Sequence, residues 1–315
     1  MTNAGAPIAP DAERSIEVDG PLDLRRTLGI HRRGPGDPTL RFEASGSAWR
    51  SSRTPDGAVT LFIEARDGVV RGRAWGPGAE WALTRLGGLV GLDDDPAALV
   101  PQHAAIERAV RRLRGLRIGR TGVVLEALVP AILEQKVIGE EARRAWTGLV
   151  RRYGEDAPGP PGMRLPPTPR TLAELPYYRY HPFGVEQRRA DLIRRVAREA
   201  PRLEAMVEPA SAPGGDPSGA YAALRAFPGI GPWTAAEVGI RAFGDPDAVS
   251  VGDFHLPSMV TWALAGEPRG TDERMLELLE AYRGQRGRVL RLLELTGGGP
   301  PRRGPRLSRQ RIDAF

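Results

Sequence analysis

Cysteine is absent from the 315 residues. That absence excludes disulfides, thiol nucleophiles, zinc ribbons and iron–sulfur clusters together. Lysine is nearly absent: Lys136 stands alone among 45 basic residues, so a reaction that needs a side-chain amine has one candidate. Arginine stays protonated and forms no Schiff base. The four histidines, His31, His103, His181 and His255, are too scattered for a histidine-rich site, which argues against a catalytic metal on nitrogen or sulfur ligands. No apolar run approaches the roughly 20 residues of a membrane span. Met1 to Pro10 lacks the basic start and apolar core of a secretory signal. A cytoplasmic protein without membrane contact is expected.

What is present is an ordinary globular composition with a basic excess. The chain is long enough for one large domain or two or three smaller ones with proper cores. A net charge of +6 and a pI near 10.2 point to an anionic partner. An arginine bias also arises in GC-rich genomes, but its chemical consequence holds either way. The Arg-rich stretches 108–114 and 188–198 read first as solvated faces.

Four segments can be told apart. Residues 1–14, rich in Ala, Pro and small polar residues, read as a flexible leader. Residues 15–95 read as a β-rich domain. Short alternating stretches at Thr39 to Glu43, Val59 to Ile63 and Val69 to Trp75 are separated by the turn signals Asp56-Gly57 and Asp67-Gly68. A helix is expected from Pro77 or Ala79. Residues 96–296 read as helical, with apolar residues at helical spacing over 101–114, 123–135, 140–153, 187–200, 220–227, 233–243, 256–265, 272–282 and 286–295. Residues 297–315 carry five arginines against one aspartate and read as a basic tail. The fold class is α+β: a small antiparallel sheet followed by an all-α core.

The most specific signal is Leu224 to Ala235, LRAFPGIGPWTA. A helix ends at Phe227, a tight turn runs through Pro228 to Gly231, and a helix starts at Pro232, a residue suited to the first helical position. Gly229 and Gly231 permit positive φ and close approach of backbone to a ligand. The N–H groups of the turn and the next helix start are then free for an anion such as a phosphate, and Thr234 can add a hydroxyl. The second signal is Val249 to Pro257, VSVGDFHLP. Asp253 precedes a helix, where it serves as a cap. The same position keeps a carboxylate ionised and able to stabilise positive charge or to orient water.

Together these segments resemble the helix-hairpin-helix (HhH-GPD) DNA glycosylase superfamily, and within it the bacterial inducible 3-methyladenine glycosylase type. The resemblance covers roughly Leu22 to Leu295. It includes PAILEQK at Pro130 to Lys136 and GVEQRRA at Gly184 to Ala190. It implies a two-subdomain helical core with a base pocket in the cleft between the subdomains, double-stranded DNA as partner, and a monovalent cation on hairpin carbonyls at 229–231. It also implies a nucleoid-associated protein, for which a monomer suffices. Asp253 falls on the catalytic aspartate of the family. Trp233 falls where lyase-type relatives carry their Schiff-base lysine, which implies a hydrolytic, monofunctional enzyme in base excision repair. The missing cysteines set the chain apart from iron–sulfur relatives.

Two places depart from the pattern. Gln135 and Lys136 match the loop that fills the gap left by a flipped nucleotide, but Lys136 stands where the relative has an apolar wedge. Glu237 and Glu294 stand where the relative lines its base pocket with aromatics that stack on electron-poor bases. A glutamate there accepts a hydrogen bond from an exocyclic amine and attracts a cationic purine, or else it is ion-paired and the pocket is built otherwise. With Trp233, these residues are the expected pocket, while Trp49, Trp146 and Trp262 are expected in the core. The expected activity is hydrolytic excision of an alkylated purine of the 3-methyladenine kind. A glycosylase for another lesion, or a non-catalytic DNA-binding or damage-sensing protein on the same fold, stays open beside it.

Overall fold

The computed structural model describes residues 8–212 and 215–300. The first seven residues of the expected leader and the expected tail beyond 300 lie outside the described residues. β1 (Ala12–Glu17) begins inside the stretch read as leader. It is followed by α1 (Leu24–Gly29), β2 (Leu40–Phe42), β3 (Ala48–Thr54), β4 (Gly57–Arg66) and β5 (Val69–Trp75). The strands form one antiparallel sheet in the order β1-β5-β4-β3-β2. The β4–β5 turn is set locally: Asp67 and Gly68 take φ of 52° and 75°, the paired positive values that favour an Asp-Gly two-residue hairpin. Val59, Leu61 and Ile63 alternate inward from β4 and meet Leu83, Leu86 and Leu89 of α2 (Ala79–Thr84) and α3 (Leu86–Leu89).

β3 has no hydrophobic alternation, and the sequence reading passed over it. Its polar residues are nonetheless buried, because they face protein. Arg50, Ser52 and the Arg53 N–H all donate to the Glu126 carboxylate, at 2.6, 2.8 and 2.8 Å, and the Ser51 hydroxyl donates to the Arg164 carbonyl at 2.6 Å. The strand docks the sheet onto the helical core through satisfied polar contacts.

The helices that follow are α4 (Ala104–Arg112), α5 (Val124–Leu133), α6 (Gly139–Tyr153), α7 (Pro169–Glu174), α8 (Gln187–Arg198), α9 (Ala200–Glu204), α10 (Val207–Ser211), α11 (Ser218–Arg225), α12 (Pro232–Val238), α13 (Leu256–Ala265), α14 (Asp272–Leu279) and α15 (Arg286–Thr296). α8 ends at Arg198, and Pro201 sits in the first turn of α9, where a missing N–H costs little. The helices bury two separate cores. One joins α5, α6 and α8 to α12. The other joins α4, early in the chain, to α13, α14 and α15. No helix among the described residues is long and apolar enough to cross a membrane.

α5 has no capping side chain of its own. Glu204 supplies one from α9, accepting the Val124 and Leu125 N–H groups at 2.7 and 2.9 Å. Burial, which outweighs these two bonds, pushes the Glu204 carboxyl up to about 7. A carboxyl whose pKa is raised on folding stabilises the fold most below its unfolded value, and that contribution is lost as pH rises through the folded value. The melting temperature of the wild type minus that of Glu204→Gln therefore declines between about pH 4.5 and pH 7. A flat difference across that window in calorimetric scans refutes this assignment.

Candidate active site

The hairpin brings its parts together as expected, with one change of reason. Gly229 takes φ of 104°, a conformation that favours glycine. Gly231 does not: its φ is −94°, and a Cβ built there meets nothing within 4 Å. The fold does not require glycine at 231, so only close approach by something outside the chain gives it a purpose. The first turn of α12 has no capping side chain, which leaves the Trp233 and Thr234 N–H groups without an acceptor from a cap.

Gln135 and Thr234, expected to touch DNA, are committed elsewhere. The Gln135 amide donates to the Gly229 carbonyl at 3.0 Å and to the Thr234 hydroxyl at 2.9 Å. Thr234 itself is 2% exposed, too buried for a phosphate to reach. Gln135 thus ties the hairpin to the end of α5. Arg189 of the GVEQRRA segment, also buried, holds that end in place by donating to the Leu133 and Gly184 carbonyls at 2.8 and 3.0 Å. Lys136 stands exposed between α5 and α6 with φ of 55°, a costly conformation for a residue with a side chain.

The hairpin carbonyls at 229–231 are the expected site for a monovalent cation, and those of Gly229 and Gly231 each take one donor and keep a second lone pair. Gly229 O takes the Gln135 amide, Gly231 O takes the Ala235 N–H at 3.1 Å, and Pro228 O takes the Arg195 guanidinium at 2.8 Å. No step below runs through a cation.

Asp253 lies half-buried just before α13. One carboxylate oxygen accepts the His255 and Leu256 N–H groups at 2.7 and 2.9 Å; the other accepts the Trp233 indole N–H at 3.0 Å. The cap reading and the catalytic reading thus describe the same geometry. Three donors fix the carboxylate in place, while the second oxygen, with one donor, keeps a lone pair free. Next to it Phe254 is 82% exposed. Sequence reasoning missed this residue; its one signal is an apolar side chain directly after the carboxylate, outside the helical pattern.

Glu237 and Glu294 are placed differently from each other. Glu237 is mostly buried and fully engaged: Arg241 donates to one oxygen at 2.6 Å and the Ser250 hydroxyl to the other at 2.7 Å. Of the two expected alternatives the structure shows the ion-paired one, because an arginine one turn further along the chain takes one oxygen and Ser250 the other. Glu294 keeps 45% of its side chain open and meets Arg291 at 3.3 Å, with Glu237 and Arg241 near enough for their charges to act on it. Arg33 reaches this region from the loop after α1 and pairs with Glu134 at 3.0 Å, held by Asp37, which accepts the Arg33 N–H. Burial first, then the charges of Arg50, Arg241 and Arg33, push the His31 pKa well below its ordinary value. The imidazole stays neutral and supplies no positive charge to the site. Trp146 is in the core as expected, whereas Trp262, with 37% exposed, is not.

No family model matches the chain. It is 32% identical, over 181 residues, to the probable bifunctional transcriptional activator/DNA repair enzyme AlkA of Mycobacterium tuberculosis; the match takes in 56% of this chain and 35% of that protein. It is 29% identical over 178 residues to DNA-3-methyladenine glycosylase 2 of Escherichia coli, covering 61% of that protein. The chain thus spans about a third and about three-fifths of these two curated relatives. The solved 3-methyladenine DNA-glycosylase from Archaeoglobus fulgidus superposes with a TM-score of 0.75 over 89% of this chain and 97% of that one, at 20% identity. The sheet domain and the helices that follow it thus share the fold of that solved structure. The chain's sequence likeness is to the proteins named AlkA and DNA-3-methyladenine glycosylase 2.

Proposed function

We propose that this protein is a monofunctional DNA glycosylase that flips a damaged, alkylated purine out of duplex DNA and hydrolyses its glycosidic bond. The observation that carries this is the Asp253 carboxylate, fixed by three donors, one of them the indole of Trp233 from the helix that follows the hairpin. As the C1′–N bond breaks, its electron pair leaves with the base and positive charge builds on the sugar. Asp253 stabilises that charge and accepts the proton of the water that adds to C1′. Trp233 holds the carboxylate and walls the site, where an amine nucleophile would otherwise stand. Gly229, Gly231 and the α12 N-terminus bind phosphate, and Lys136 enters the gap left by the flipped nucleotide with its aliphatic stem.

The test is base release from methylated DNA, wild type beside Asp253→Asn, with the freed bases identified by mass spectrometry. Release of 3-methyladenine or 7-methylguanine by the wild type alone supports the reading; tight duplex binding without release refutes it in favour of a glycosylase for another lesion or a damage sensor. A second reading, a glycosylase for another lesion, is favoured by one observation. Glu294, 45% open, stands where the relative has a stacking aromatic, so the site offers a hydrogen-bond acceptor in place of broad stacking.

Gly231 gives a separate prediction. Gly231→Ala keeps its stability, within about 0.5 kcal/mol, because φ is ordinary and the space is open. Its affinity for duplex falls about tenfold, or about 1.4 kcal/mol, because the methyl keeps phosphate away. Unchanged affinity in a fluorescence-anisotropy titration would remove the hairpin from the DNA interface.

A further inference from the structure

We propose that Ser250, Glu237 and Arg241 form a brace through which the N-terminal domain sets the position of Asp253, so that Glu237 is a positioning residue and not a base reader. The inference rests on Asp253 being the catalytic carboxylate. α12 presents Trp233 and Glu237 one turn apart on the same face. The loop before α13 runs past that face and is fastened to it twice, by Trp233 to Asp253 at 3.0 Å and by Ser250 to Glu237 at 2.7 Å. The helix then widens into a π turn over 239–243, a feature often found at functional sites. From this turn Arg241 donates back to the Glu237 carboxylate at 2.6 Å and carbonyl at 3.1 Å, and forward to the Ile30 carbonyl of the N-terminal domain at 3.2 Å.

The chain of contacts is continuous from Ile30 to Arg241, Glu237 and Ser250, three residues before Asp253. It is shielded as well: Ser250 is 5% exposed, and the Glu237 and Arg241 side chains are 16% and 13% exposed. A buried ion pair adds little net stability over an apolar pair of the same shape. Its consequence here is geometric, since it leaves Ser250 one acceptor in one place. A catalytic group must be held to about 0.5 Å, and the indole alone does not fix the loop backbone.

Ser250→Ala removes one hydroxyl and opens no large void. In the full chain, single-turnover excision falls by about tenfold to a hundredfold, the order expected for a misplacement of up to about 1 Å. Duplex affinity stays within about twofold, and the ratio of two alkylated bases released stays unchanged. Ser250→Thr, which keeps the hydroxyl, restores the rate to within about threefold. Exchange of the Trp233 indole proton with solvent, followed by NMR, accelerates in the alanine variant and not in the threonine variant. Excision within about twofold of wild type together with unchanged indole exchange overturns the brace. A shifted ratio of released bases overturns it in the other direction, because Glu237 then reads the base. If the wild type excises nothing, the functional reading fails, and the indole exchange alone still decides whether the brace exists.

Discussion

Asp253→Asn is expected to lose base excision by at least about a thousandfold, close to about 4 kcal/mol of transition-state stabilisation, while remaining folded and bound to duplex. Asparagine keeps an oxygen for the His255 and Leu256 N–H groups, so the cap on α13 survives. It cannot supply the carboxylate that the proposed reaction needs beside the sugar, and its amide nitrogen either meets the Trp233 N–H donor to donor or rotates and leaves the backbone bonds unmade. The first outcome costs catalysis and the second costs catalysis and some stability. Single-turnover excision and a thermal melt, run on the same preparation, separate the two. Activity within about tenfold of wild type would remove Asp253 from the chemistry and leave it as a cap.

The largest stability effect is expected at a pair remote from the site. Arg288 of α15 and Asp94, in the loop that leaves the sheet domain, form an ion pair with 3% and 4% of their side chains exposed. Asp94 also accepts the Ile118 N–H at 2.8 Å. Burial raises the Asp94 pKa, and Arg288 opposes that rise. Arg288→Met leaves the carboxylate buried without its counter-charge and is expected to cost about 3–5 kcal/mol. The deficit shrinks as pH falls, since a protonated Asp94 no longer needs a partner. Asp94→Leu combined with Arg288→Met recovers most of the loss. Urea denaturation of the wild type, the single variant and the double variant checks this. A single variant within about 1 kcal/mol of wild type would show the pair to be solvated.

Local chemistry made much of the molecule legible in advance. The Asp67-Gly68 hairpin, the Pro228 to Gly231 turn and the bounds of α13 each depend on a few consecutive residues, whose φ preferences and apolar spacing act within one or two turns of chain. Asp253 was legible for the same reason, since a carboxylate before a helix meets that helix's N–H groups wherever the rest of the chain goes. β3 was not legible, because its buried arginine and serines make sense only once Glu126, more than seventy positions away, lies across them. The role of Glu237 was not legible either. Sequence put it one turn from Trp233 and no further; its commitment to Arg241 and Ser250 comes from the turn of chain that folds Ser250 back over α12. Short-range conformational preference is written in neighbouring residues, whereas the pairing of buried charges is settled only when packing removes water and leaves each charge the partner within reach.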